Sequence, residues 1–164
     1  MRGIARAARV DAALVHHYFG SKQEMFVAAV SFPFDARHAV LEAFSGDPAT
    51  IGERLVPFVL GVYEQAASRE PVLALLRSAM GHESVAAMMR EFVTAALIGP
   101  GAAQLAVPQD EARLRVQLAI GQLIGVAMLR YVIKVQPLAS APVEELVRRL
   151  VPVVQAHLDG TAST

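Results

Sequence analysis

The chain has 164 residues, 54% of them hydrophobic, with 15 basic and 15 acidic side chains and so no net charge. This excludes a disordered chain, and the overall charge singles out no nucleic-acid or membrane partner. Charged residues make up 18%, below the usual figure of about 25%, which leaves more apolar surface than one copy can bury and predicts self-association. No cysteine is present, so there is no disulfide, thiolate metal site or cysteine nucleophile.

The mean hydropathy of +0.42 raises the question of a membrane span. The most apolar segment, Leu118 to Leu129, contains Gln122 and lies between Arg115 and Arg130. As helix, the stretch between those arginines covers about 21 Å, against a hydrocarbon core of roughly 30 Å. The N-terminus has no apolar secretion signal. The expectation is a soluble cytoplasmic protein that makes no membrane contact.

Strand signals are nearly absent, and apolar residues recur at three- and four-residue spacing, which predicts an all-α fold. Arg2 to Ala8 reads as a short helix, and Asp11 caps another that runs to about Tyr18. Phe19-Gly20 breaks the chain, and Ser21-Lys22-Gln23-Glu24 forms a capping box for the next helix. Pro33 ends or kinks that helix, and a second piece continues to about Phe44. After the turn at Ser45-Gly46-Asp47-Pro48, helices are predicted over about 49–67, 71–80 and 83–98. Gly99-Pro100-Gly101 is expected to end the last of these, and a weak segment leads to Pro108.

The two final helices bear on assembly. Residues 110–133 carry two apolar stripes, one of Leu114, Leu118, Gly121, Gly125 and Met128, the other of Val116, Ile120, Leu123 and Ala127. A helix apolar on both sides is buried on both sides. Residues 143–158 form an amphipathic helix with Val143, Leu146, Val147, Leu150, Val151, Val154 and Leu158 on one face. A homodimer through 110–133 and 143–158 is therefore expected, with Gly121 and Gly125 permitting close helix approach.

Charge is uneven along the chain. Residues 1–23 hold Arg2, Arg6, Arg9 and Lys22 against Asp11 alone, with His16 and His17 in addition. Two short basic helices joined by a tight turn suit a helix-turn-helix, whose second helix enters the major groove. Small residues at its start, Ala12 and Ala13, allow close approach to base edges, and His16, His17, Tyr18 and Lys22 supply donors to phosphate and base.

Residues 2–26, Arg-Gly-Ile-Ala-Arg-Ala-Ala-Arg-Val-Asp-Ala-Ala-Leu-Val-His-His-Tyr-Phe-Gly-Ser-Lys-Gln-Glu-Met-Phe, resemble the DNA-binding region of TetR/AcrR-type transcriptional regulators. That region has an Ile-Ala-x-x-Ala-Gly-Val stretch before a recognition helix that ends in an aromatic–Phe pair. Leu-Leu-Arg-Ser-Ala-Met at 75–80 and Arg-Tyr-Val-Ile-Lys-Val-Gln-Pro-Leu-Ala-Ser at 130–140 resemble one subgroup of the family. The resemblance implies a helix-turn-helix head over 1–31 and a helical effector-binding and dimerisation domain over 32–164. It implies DNA contact by Arg2, Ala12, Ala13, Leu14, His16, His17, Tyr18 and Lys22, over a small core of Ile4, Ala5, Ala8, Val10, Val15 and Phe19.

Two departures stand out. Arg9 replaces the family's usual turn glycine, and the first helix of the family's head has no counterpart ahead of Met1. The head is thus expected to be incomplete. A ligand-responsive regulator, acting as a repressor that a small molecule releases from double-stranded operator DNA, is the favoured reading; the alternative is an effector-binding dimer that has lost specific DNA binding through N-terminal truncation. Effector contacts are assigned to Phe58, Tyr63, Met80, Met88, Phe92, Gln117 and Gln122, with Met89 and Met128 in the same helices.

Catalysis is not expected. His38 with Glu42, and the pair His82-Glu83, lack a third ligand at metal-site spacing; Gly99-Pro100-Gly101 lacks the Lys-Ser/Thr of a phosphate-binding loop; and no Gly-x-Ser-x-Gly occurs. No metal and no cofactor are predicted.

Overall fold

The computed structural model describes residues 35–161, together with Asp11, Ala13 and His17. Among these residues every regular element is helical, as the apolar spacing requires.

Helix α1, Ala36–Phe44, starts where Asp35 accepts a hydrogen bond from the His38 amide at 3.0 Å, a side-chain cap of the usual kind. A 3-10 turn at Pro48–Thr50, capped by Asp47, leads into α2, Ile51–Glu64. Arg54 fastens the corner between α1 and α2: Nε donates to the Ala43 carbonyl at 2.8 Å, Nη1 to Thr50 Oγ1 at 2.6 Å and Nη2 to the Asp47 carbonyl at 3.0 Å. One guanidinium thus serves a helix C-terminus and the turn that follows it.

Helix α2 stops at Glu64 rather than continuing to residue 67. Gln65 is extended, at φ −80° and ψ 120°, and α3 runs from Ala66 to Gly81 with Pro71 inside it. The break has a local cause: the buried Ser68 hydroxyl reaches back to donate to the Val62 carbonyl at 2.6 Å, satisfying an acceptor near the end of α2.

Helix α4, Glu83–Phe92, flows through a π-helical turn at Val93–Ile98 into a short α5, Gly99–Ala102. Gly99-Pro100-Gly101 therefore does not end the helix, contrary to the sequence expectation. The Gly99 amide bonds the Thr94 carbonyl five residues back. The wider turn lets the chain pass a proline that would collide with the carbonyl four residues before it.

Helix α6, Gln109–Ala127, opens with Asp110 and Glu111 at its N-terminus, where carboxylates complement the helix dipole. It continues as a π-helical turn, Met128–Ile133, and ends at Lys134 in the left-handed conformation. Helix α7, Val143–Asp159, ends at Gly160, which is also left-handed (φ 74°). Arg115 Nη1 donates to the Leu158 carbonyl at 3.1 Å, tying the end of α7 to α6.

The core lies between α2, α6 and α7, with α1 and α5 closing one side. Ile51, Leu55, Val56 and Leu60 of α2 meet Val116, Ala119 and Leu123 of α6 and Leu146, Leu150, Val154 and Leu158 of α7. At Gly52 the α2 backbone lies against α7 so closely that a Cβ would sit 2.8 Å from the Val151 carbonyl oxygen. The Gly52 amide donates to Gln155 Oε1 at 2.8 Å, and Gln155 Nε2 donates to the Pro48 carbonyl and to Asp159.

Residues 109–133 form a helix long and apolar enough, by length and composition, to cross a membrane. Here it is a wall of the body. Arg115 is engaged by Glu111 and the Leu158 carbonyl, and Arg130 by Glu64 and two loop carbonyls.

The two glycines Gly52 and Gly61 separate packing from propensity. Gly52→Ala should destabilise the fold by about 1–3 kcal/mol, because the obstructing atom is backbone and the helices must part. Gly61→Ala meets nothing within 4 Å and should leave stability unchanged or raise it by up to about 1 kcal/mol through helix propensity. Chemical denaturation of both variants checks the contrast.

Candidate effector cavity and DNA-reading segment

Of the residues assigned to DNA, Ala13 and His17 are described, both helical and exposed. The Ala13 amide donates to Asp11 Oδ1 at 2.8 Å, so Asp11 caps this helix. Arg2, Ala12, Leu14, His16, Tyr18 and Lys22 lie outside the described residues.

Inside the body, α1, α2, α3, α4, the π-turn at 93–98 and α6 surround a cavity of about 140 Å³. Its lining is formed by aliphatic and aromatic side chains and Met89, and Tyr63 carries the only side-chain hydroxyl among them. Burial pushes the Tyr63 hydroxyl up to about 12, so it stays a neutral phenol at physiological pH. An apolar space of this size accepts a compact apolar guest.

Three of the seven residues assigned to an effector line this cavity: Phe58, Tyr63 and Phe92. The other four do not. Met80 is 69% exposed near the end of α3, and Met88 is half-buried on α4 away from the lining, where its neighbour Met89 takes the inward position. Gln117 and Gln122 are exposed on the outer side of α6, so solvent or another chain meets their amides. The liners missed from the sequence are aliphatic apart from Phe44: they include Val40 of α1, Val59 and Val62 of α2, and Val72 and Leu76 of α3. Their residue types are those of ordinary core, and only helix phase distinguishes them.

One wall of the cavity is tied to a polar cluster. The Tyr63 ring stacks on Tyr131 with centroids 5.7 Å apart and planes at 11°. The Tyr131 hydroxyl donates to Glu64 Oε1, and burial together with that hydrogen bond pushes its pKa up to about 12. Arg130, buried, donates to the same carboxylate from Nη2 at 3.1 Å and to the Leu138 and Ala141 carbonyls from Nη1 at 2.7 and 2.8 Å. The guanidinium thus fixes the ends of α2 and α6 and the loop before α7. The 130–140 stretch singled out in the sequence is this anchor.

The exposed side of α6 is apolar as well. Leu114 is 51% exposed and Leu118 47%, with Leu129 and Ile133 further along; Gly121 and Gly125 between them have open space where a side chain would stand. Of the second stripe, Val116, Leu123 and Ala127 are buried within the body and Ile120 is half-buried at the cavity wall.

An all-helical body with an apolar pocket among its helices, following a basic segment of helix-turn-helix pattern in the chain, is the architecture of a one-component transcriptional regulator. Comparison with known proteins agrees. Residues 1–29 match the family model for bacterial regulatory proteins of the tetR family, and residues 49–158 match the model for the tetracyclin repressor-like C-terminal domain. A solved TetR-family regulator from Streptomyces coelicolor A3 is similar at 34% identity and a TM-score of 0.61, over 95% of this chain and 81% of that one. No curated protein matches. The chain belongs to the TetR family of bacterial regulators; it is a DNA-binding transcriptional regulator and not an enzyme.

Replacing Arg130 tests the anchor. Arg130→Met leaves the Leu138 and Ala141 carbonyls without this donor and Glu64 with Tyr131 alone, and should destabilise the body by about 3 kcal/mol. Amide exchange over residues 136–142 should rise at the same time.

Proposed function

We propose that this regulator is a ligand-responsive homodimer, a cytoplasmic repressor whose grip on double-stranded operator DNA is released by a small, uncharged, apolar molecule held in the cavity. The observation that carries the reading is the cavity's place. Ala36, Val40 and Phe44 of α1 form part of its wall, and α1 follows the DNA-reading segment in the chain; Ile120, Leu123 and Ile124 of α6 form another part, and α6 carries the exposed apolar stripe. A guest filling the cavity bears on both at once. A ligand that prefers one arrangement of α1 shifts the population of DNA-reading geometries, which is all that allosteric release requires.

On this reading residues 1–31 form the head, with Arg2, Ala12, Ala13, Leu14, His16, His17, Tyr18 and Lys22 facing DNA, and residues 32–164 form the effector and dimer domain. The dimer is proposed to form through 110–133 and 143–158. The exposed stripe of α6 supports it, as does the open space at Gly121 and Gly125, which a second helix can enter.

The test begins with sequence selection from random duplexes by the full chain. A palindromic site should emerge, and Tyr18→Ala or Lys22→Ala should weaken binding to every sequence and flatten its salt dependence. Failure to enrich any sequence would refute the DNA reading. Naphthalene, as an uncharged probe, should raise the melting temperature of the wild type and weaken the selected complex. Val59→Phe, which fills the cavity, should abolish both effects.

Assembly is checked separately. Gly125→Arg introduces a side chain where the single chain has room, so the variant should fold yet sediment as a monomer. A wild type that sediments as a folded monomer at micromolar concentration would rule the dimer out.

A further inference from the structure

A second cleft, distinct from the buried cavity, opens on the other side of α3. It has a volume of about 570 Å³ and is walled by Arg69, Leu73 and Arg77 of α3 and by Tyr131, Val132 and Lys134 at the end of α6, with Gln136 and Ala139 from the loop and Arg130 at its base. Arg69, Leu73 and Arg77 share one helix face by their four-residue spacing. Four cations thus converge, and Glu70 is the one acidic residue in the lining.

These cations differ in how far they are already used. Arg130 is consumed by Glu64 and by the Leu138 and Ala141 carbonyls. Arg69 makes a long, exposed contact of 3.4 Å with the adjacent Glu70, and its guanidinium carbon lies 5.9 Å from the centre of the Tyr131 ring. Arg77 and Lys134 form no ion pair among the described residues. Lys134 is also held at φ 60°, the single positive φ outside glycine among the described residues. It stands at a helix-ending position where Gly or Asn is the easy choice. A lysine kept there, beside two arginines, adds like charge to a crowded site.

We infer that this cleft binds a small organic anion, an oxyanion head carried on a flat apolar body. The head lies between Arg77 and Lys134, where an arginine fork and an ammonium both donate to it. The body lies along Val132 and the half-buried edge of Tyr131, apolar surface that an inorganic ion leaves unused. Arg69 covers the Tyr131 ring from the side. The site does not depend on the effector reading of the buried cavity.

The test is calorimetric titration of the full chain with benzoate and with phenyl phosphate, using benzamide and inorganic phosphate as controls. Benzoate or phenyl phosphate should bind, weaken as salt rises, and exceed its control by about tenfold or more in affinity. Which of the two binds more tightly distinguishes a carboxylate from a phosphate head. The double variant Arg77→Gln/Lys134→Gln should lose about tenfold or more, whereas Val59→Phe should leave the affinity unchanged. Lys134→Gly should weaken binding while leaving the fold at least as stable, which separates loss of charge from loss of structure. The proposal is overturned if neither anion binds at millimolar concentration, if benzamide equals benzoate and phosphate equals phenyl phosphate, or if Val59→Phe abolishes binding that the double variant retains.

Discussion

A buried cation that must be satisfied on every side organises the end of this helical body. Arg130 cannot lose its charge and is almost out of water, so its donors have to find acceptors within the protein. They find the Glu64 carboxylate at the end of α2 and two carbonyls in the loop that delivers α7. Meeting that demand sets the register of the end of α2 against the end of α6 and the loop that follows it. It also places Tyr131, whose hydroxyl shares Glu64 and whose ring supports Tyr63 at the cavity wall. The cavity and the cationic cleft are the two sides of this one anchor.

Helix α6 faces a second constraint, since it must be apolar on two sides at once. Its buried side, Ala112, Val116, Ala119, Leu123 and Ala127, is built largely from small residues, which lets α2 and α7 approach. Its outer side leaves Leu114, Leu118 and Leu129 in contact with solvent in a single chain. Leaving three leucines so exposed costs several kcal/mol of unused burial at about 25 cal/mol per Å². A symmetric partner recovers that energy with the same residues, which is why a self-complementary stripe is an economical design for a dimer.

Much of this was legible in the residues, and the exceptions have particular causes. The stripes of α6 and the single face of α7 follow from spacing alone. The corner at Gln65 does not, because its signal is a serine hydroxyl reaching six residues back to Val62, a pattern that neither Gly nor Pro announces. Gly99-Pro100-Gly101 reads as a stop, yet the π-turn before it absorbs the proline. At the cavity, choosing by residue type reached Phe58, Tyr63 and Phe92 and also drew in Met80, Met88, Gln117 and Gln122, which lie elsewhere. Polarizable and polar side chains attract attention in a sequence, whereas this cavity is made of valine, leucine and phenylalanine at inward phases. The cleft was illegible for another reason: Arg69 and Arg77 come to line one cleft with Lys134 only through the packing of α3 against the end of α6.

The chemistry of the cavity also fixes the kind of selectivity it can exert. A lining whose only hydroxyl belongs to Tyr63 offers almost no directional bond to a guest, so discrimination rests on volume and shape. Adding or removing one methylene in such a space is worth about 1–3 kcal/mol. Polar molecules of similar size are rejected more strongly, because they leave water bonds behind and find none inside. On the proposed reading, such a pocket suits a class of apolar compounds rather than one member. If the pocket acts as proposed, release of DNA depends on how far a guest displaces α1 and not on affinity alone: a guest that fits without moving Val40 or Phe44 would bind tightly and signal nothing.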